Sequence, residues 1–239
     1  MANATPLWLF DLDNTLHNAS HAIFPAINVN MNGYIAQVLQ QAGLASDVDS
    51  VSALRQQYWQ RYGATLAGMM RHHAVRAEDF LREAHRFDNL AQMIRAGRGL
   101  VHLLKRLPGR KILLTNAPQA YANSVLRHLG LHRHFARHIS IESMQVHGQL
   151  RPKPSRQFLR KLLATQRIAA RRCILVEDTV ENLKAAKQLG MRTAWMTGYL
   201  RLTPPVTGMM QQALRLARRP AYVDFKVGSL HRLARSVAR

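Results

Sequence analysis

Apolar positions along this chain fall into two kinds of run. Short unbroken runs occur at PLWLF (6–10), KILL (111–114), CILV (173–176) and TAWM (193–196). Runs this short, stopped by turn or charged residues, predict strands buried on both faces of a parallel sheet. Residues 138–141 and 221–227 (AYVDFKV) add two more candidate strands. Spaced apolar positions predict helices over 98–107, 118–129, 154–165 and 180–189, with Gly130 and Gly190 ending two of them. Strand and helix therefore alternate from 98 to 197, which predicts an α/β fold with a doubly wound parallel sheet, a Rossmann-like core.

The stretch after the first strand is different. Residues 24–43, 50–62, 65–74 and 78–94 all read as helices, with apolar spacing at Ile27, Met31, Ile35, Val38 and Leu39 and then Val51, Leu54 and Tyr58. No strand is predicted between about 20 and 95. An α-helical cap domain at 17–95, inserted into a core made of 1–16 and 96–239, accounts for this interruption. Gly63 and Gly68 break the helical pattern, which predicts a turn or a close backbone approach. The acid-free stretch 198–219 reads as a helix flanked by loops.

Composition narrows the function classes. The 239 residues are 47% hydrophobic and 20% charged, ordinary for a folded domain. No window holds 18 uninterrupted apolar residues, so no membrane-spanning helix and no membrane partner are expected. The N-terminus lacks a secretory pattern, and a cytoplasmic protein is the default expectation. Cys173 is the one cysteine, which excludes an internal disulfide and a cysteine-built zinc site. The net charge is +21, from 34 Lys and Arg against 13 Asp and Glu. It suits attraction of anionic substrates or nucleic acid. The bases are scattered, however, and a nucleic-acid partner is not expected.

The scarce acids are concentrated. Asp11 and Asp13 follow the first strand and Glu177 and Asp178 follow CILV, so four of the 13 acids sit at two strand ends. Ligands of open parallel sheets bind beyond the carboxyl ends of the strands. Clustered carboxylates repel one another unless a cation lies between them, and oxygen donors without Cys or His favour a hard ion such as Mg2+. At the bend after the strand, Asp11 can offer its side chain to the ion and Asp13 its main-chain carbonyl. Thr115, past KILL, offers a hydroxyl and free backbone amides to a phosphate. Lys153, between Pro152 and Pro154, supplies a point charge that neutralises a phosphate and keeps a nucleophilic carboxylate ionised.

With these pieces in order, the chain resembles the haloacid dehalogenase-like hydrolase superfamily. FDLDNTL (10–16), LLTNA (113–117), RPKPS (151–155) and VEDTVENL (176–183) resemble its four motifs. The insertion after the first motif resembles the helical-cap class. The segment QYWQRYGATLAGMMRHHAVRAEDFLREAH (57–85) is similar to the cap of the pyrimidine 5′-nucleotidase branch, and Asn14 in place of the commoner Gly fits that branch too. Glu177 departs from the Asp that many members carry.

The resemblance implies a magnesium-dependent phosphomonoester hydrolase with Asp11 as nucleophile and Asp13 as general acid and base. It implies Asp178 as a direct metal ligand with Glu177 behind it, and the main-chain carbonyl of Asp13 as the third protein ligand. Thr115, Asn116 and Lys153 are then the charge stabilisers that hold the phosphoryl group. Tyr62 and His73 are cap candidates for contact with a pyrimidine base of a nucleoside monophosphate. The alternatives are a phosphosugar phosphatase or phosphomutase on the same scaffold, and a basic nucleic-acid-binding protein with a vestigial site. The histidines 132, 134 and 138 read as a surface cluster and Cys173 as a buried inert thiol.

Overall fold

The computed structural model describes residues 5–200 and 218–237. These fall into two compact units, one built from residues up to His21 and from Ile94 onward, the other from Ala22 to Met93.

The first unit is a six-stranded parallel sheet flanked by helices. Its strands are β1 (Leu7–Phe10), β2 (Arg110–Leu114), β3 (Arg137–Ile139), β6 (Cys173–Glu177), β7 (Arg192–Met196) and β8 (Phe225–Val227), in the spatial order β3-β2-β1-β6-β7-β8. β1 is central because all four of its residues are buried. It pairs on one side with β2, Leu9 opposite Ile112, and on the other with β6, Leu9 opposite Leu175. Chain order runs outward from β1 through β2 to β3, then restarts at β6 on the other side. The crevice beyond β1 and β6 is therefore the topological switch point, where ligands of such sheets bind. One side of the core joins Leu7, Leu9, Ile112 and Leu175 to Phe158, Leu159 and Leu162 of α8 (Arg156–Thr165). Ser155 caps α8 by accepting from the Phe158 amide at 3.2 Å. Cys173 is buried in this core, and burial pushes its thiol up to about 11.

Several expected elements differ in extent. The predicted last strand, 221–227, is shortened to Phe225–Val227. Its first residues are held by side chains instead: Thr193 Oγ1 donates to the Tyr222 carbonyl at 2.7 Å, and Asp224 Oδ2 accepts from the Thr193 amide at 2.8 Å. The strand expected at 138–141 ends at Ile139, and a 3₁₀ turn, Ile141–Ser143, follows. A two-residue hairpin, β4 (Gln145–Val146) with β5 (Gln149–Leu150), and a terminal helix α10 (Leu230–Val237) were not predicted. Most of the helix expected over 198–219 lies outside the described residues.

The second unit is helical: α1 (Ile23–Gln41), α2 (Val48–Tyr62), α3 (Thr65–His72), α4 (Ala77–Ala84) and the single turn α5 (Leu90–Met93). The helix predicted over 78–94 is thus two, broken between Ala84 and Leu90. Gly63 and Gly68 have distinct jobs. Gly63 caps α2 at φ +76, a left-handed conformation, and Gly68 lies so close to Tyr58 that a Cβ there would collide with the ring.

The helical unit begins at Ala22, not at residue 17 as the sequence suggests. Asn14 explains the shift. It sits at φ +55, tolerable for Asn, and its amide Nδ2 donates to Ser20 Oγ at 2.8 Å while its Oδ1 accepts from the Ser20 amide at 3.1 Å. Asn18 donates its amide to the Arg95 carbonyl at 2.6 Å. Residues 17–21 are thereby folded back onto the loop after β1. Among the described residues, no helix is long and apolar enough to cross a membrane.

Candidate active site

The strands β1, β2 and β6 deliver their next residues to the same edge of the sheet, at and beside the switch point. Asp11 follows β1, Thr115 and Asn116 follow β2, and Glu177 and Asp178 end and follow β6. Lys153 reaches the same place from the loop before α8 and is buried there. Its ammonium donates to Asp11 Oδ1 at 2.6 Å and to Glu177 Oε2 at 2.7 Å. Asp11, Glu177 and Asp178 each place a carboxylate oxygen within 4.8 Å of the others. The sequence-predicted Asp11, Lys153, Glu177 and Asp178 therefore meet in one cluster.

The acids of the cluster are in different states. Burial, then the charge of Glu177, pushes the Asp11 carboxyl up to about 8 although Lys153 opposes the shift. Burial and the neighbouring Glu177 and Asp11 also raise Asp178 well above the usual carboxylate range. Burial acts on Glu177 as well, but Lys153 and local hydrogen bonds more than offset it, and its carboxyl is lowered. The donors are identifiable: Oε1 accepts from the Asp178 and Thr179 amides, both at 3.1 Å, and Oε2 accepts from Asn182 Nδ2 at 2.9 Å as well as from Lys153. Burial works against the Lys153 charge, yet Asp11 and Glu177 together keep it protonated. Ionising Asp11, Glu177 and the half-buried Asp178 together would set three negative charges against one ammonium, and a divalent cation fits this oxygen-only donor set.

A sequence model of the haloacid dehalogenase-like hydrolases matches residues 7–190. The chain belongs to this family. Its fold is shared with a haloacid dehalogenase-like phosphatase from Thermococcus onnurineus, at 15% identity, 98% coverage of both chains and a TM-score of 0.62. It is shared also with an L-2-haloacid dehalogenase from Xanthobacter autotrophicus, at 18% identity, 98% coverage of both chains and a TM-score of 0.57. A 5′-nucleotidase from Pseudomonas aeruginosa is 28% identical over 189 residues, 78% of this chain and 80% of that protein.

Other predicted residues of this hydrolase occupy less direct positions. The Thr115 amide is not free as expected: it donates to the Ile139 carbonyl at 3.0 Å, an extension of the β2–β3 pairing. The Thr115 hydroxyl accepts from the Ala117 amide at 3.1 Å. The Asn116 side chain is committed to Lys153, donating Nδ2 to its carbonyl at 3.0 Å and accepting from its amide at 2.9 Å. That two-point grip fixes the loop from which the lysine reaches Asp11. Tyr62 and His73 belong to the helical unit. There Tyr62 is hydrogen-bonded to His72 at 2.6 Å and His73 to Tyr58 at 2.8 Å, and the Tyr58 and His72 rings stack at 5.4 Å. Burial and then the neighbouring His72 lower His73 below the usual histidine range.

Asp13 shows what sequence reasoning missed. Its Oδ1 receives the Tyr121 hydroxyl at 2.6 Å and lies 2.8 Å from His17 Nε2. His17 stands four residues after Asp13, within reach of a bent loop, but a single histidine in a mixed polar stretch carried no signal. Tyr121 lies on α7 (Gln119–His128), and helical spacing marks it only as core. His138, of the predicted surface cluster, is held by Asn123 and by the His132 carbonyl.

Proposed function

We propose that this hydrolase is a magnesium-dependent phosphomonoesterase that works through a phospho-aspartyl intermediate on Asp11. The observation that carries the proposal is the buried contact of Lys153 with both Asp11 and Glu177, with Asp178 alongside, at the switch point of the sheet. A nucleophile must be ionised to act. Lys153 favours the charged form of Asp11, although alone it does not overcome burial and Glu177.

Asp11, Asp178 and the main-chain carbonyl of Asp13 would hold the metal, with Glu177 behind them. Magnesium there supplies positive charge that keeps Asp11 ionised and offsets charge on the phosphoryl oxygens. An Asp11 oxygen forms a bond to phosphorus as the ester P–O bond breaks, and the departing oxygen takes a proton from Asp13. Asp13, now a carboxylate, removes a proton from water as the water oxygen attacks phosphorus and the Asp11–phosphorus bond breaks. Lys153 and Thr115 stabilise the charge that develops on the transferring group. Asn116 acts by fixing Lys153.

The substrate class we infer is the pyrimidine nucleoside 5′-monophosphates. The 5′-nucleotidase relative supports it, and so does the cluster of Tyr58, Tyr62, His72 and His73, which offers ring faces for a flat base. Initial rates with magnesium on nucleoside monophosphates, sugar phosphates and aryl phosphates test the proposal. Uridine and cytidine monophosphates should turn over fastest, and excess chelator should abolish all activity until magnesium is restored. A preference for a sugar phosphate would reject the nucleotidase assignment and keep the phosphatase. Full activity in chelator would reject the metal.

A further inference from the structure

A proton carrier must present its acidic oxygen to the leaving group with sub-ångström accuracy, and an aspartate side chain near a loop has rotational freedom to lose. In this structure that freedom is removed by two residues that belong to none of the four motif-derived roles. Tyr121, 4% exposed, donates its hydroxyl to Asp13 Oδ1 at 2.6 Å. His17 is fully buried, and its Nε2 lies 2.8 Å from the same oxygen. The other ring nitrogen of His17, Nδ1, is buried without a hydrogen-bond partner. An N–H buried with no acceptor is costly, so the ring proton belongs on Nε2, where Asp13 accepts it. The Tyr121 hydroxyl and His17 Nε2 are themselves 3.4 Å apart, so the three groups form one compact triangle. Asp13 and His17 also pair through their backbones in an isolated bridge, which fixes the loop that carries both.

We propose that Tyr121 and His17 are positioning residues that clamp Oδ1 of Asp13 as an acceptor and thereby aim the proton carried on Oδ2 at the leaving oxygen. Two donors on one oxygen fix the plane of the carboxyl group, so proton delivery occurs along one direction. The clamp rests on the phosphatase function proposed above and assigns a task that the metal-side residues do not share. Asp11, Lys153, Glu177 and Asp178 act on the phosphoryl group and are indifferent to the basicity of what leaves. The clamp matters in proportion to how much the leaving oxygen needs a proton.

Substituted phenyl phosphates separate the two tasks, because the leaving phenols differ in basicity while the transferred group is constant. The value kcat/KM reports the step in which the phenol departs. The Tyr121→Phe variant removes one hydroxyl and keeps the packed ring. For it, kcat/KM should fall about tenfold or more on phenyl phosphate and less than about threefold on 4-nitrophenyl phosphate, a share of the 100- to 10,000-fold that general acid help supplies. His17→Leu should steepen the leaving-group dependence in the same way, and His17→Gln, which keeps an N–H donor, should restore the wild-type slope. A uniform loss across the series, or no loss, would overturn the clamp while leaving the hydrolase reading intact. A wild-type protein inactive on every phosphomonoester would instead reject the hydrolase reading and the clamp with it.

Discussion

In the α/β unit, Asp11, Lys153 and Glu177 are buried and held against one another by direct charge contacts. In the helical unit, Tyr58, Tyr62, His72 and His73 pair through hydroxyls and rings, and His72 and Met70 are exposed. The difference teaches where tolerance lies. A buried charge that loses its partner is left uncompensated, so the first cluster is sensitive to single atoms. A set of ring contacts can repack, so the second tolerates a change of side chain better. In the function proposed above, chemistry belongs with the first arrangement and selection with the second.

The contrast is broken most sharply at Asp11. Asp11→Asn keeps an oxygen for Lys153 but removes the nucleophile, and activity on any phosphomonoester should fall at least about 10,000-fold. Retention of more than a few per cent would mean that water attacks phosphorus directly. Asp13→Asn should cost roughly 100- to 10,000-fold, because the nucleophile survives and the proton carrier does not. Rapid quenching with a 4-nitrophenyl ester should then reveal accumulated phosphoenzyme. Lys153→Met should lower kcat by about 100- to 1,000-fold, the scale of one lost charge-stabilising donor. Tyr62→Ala, in the other unit, should do something different in kind. Its preference for pyrimidine over purine monophosphates should shrink by about tenfold, the scale of one stacked ring, while 4-nitrophenyl phosphate hydrolysis stays unchanged.

The smallest expected effect lies away from both clusters. Partial burial pushes the Asp224 carboxyl up, but Lys187 at 2.6 Å and the Thr193 amide more than offset it, and the carboxyl is lowered. A lowered folded value means that the stability it adds is complete above about pH 4, the ordinary aspartate value, and is lost as pH falls through the folded value. Asp224→Asn should cost about 1 kcal/mol or less at pH 7. Thermal melts of variant and wild type should converge at strongly acidic pH.

The sheet and its acids were legible because a buried strand that stops at Asp11, or at Glu177 and Asp178, prints both its burial and its chemistry on consecutive residues. Partners distant in sequence left no such print. The Asn116 amide grips Lys153 across 37 positions, and the Thr115 amide pairs with β3, contacts that no local pattern prints. Tyr121 comes to Asp13 across 108 positions and looks like any core aromatic on an amphipathic helix. Strands of two residues, as in β4 and β5, are too short for alternation to register. The glycines of the helical unit announced a disturbance, but only the structure separates the turn at Gly63 from the close approach of Gly68 to Tyr58.

Cys173 has a practical side. It is the one thiol of the chain, sealed in the sheet and reluctant to ionise. A maleimide reagent therefore finds nothing to react with in the folded protein. A cysteine introduced at an exposed position such as Trp59 would be the sole labelling target, with no background to subtract. A fluorophore there, on α2, would report what the helical unit does when a nucleotide is added, in a protein that needs no prior removal of native cysteines.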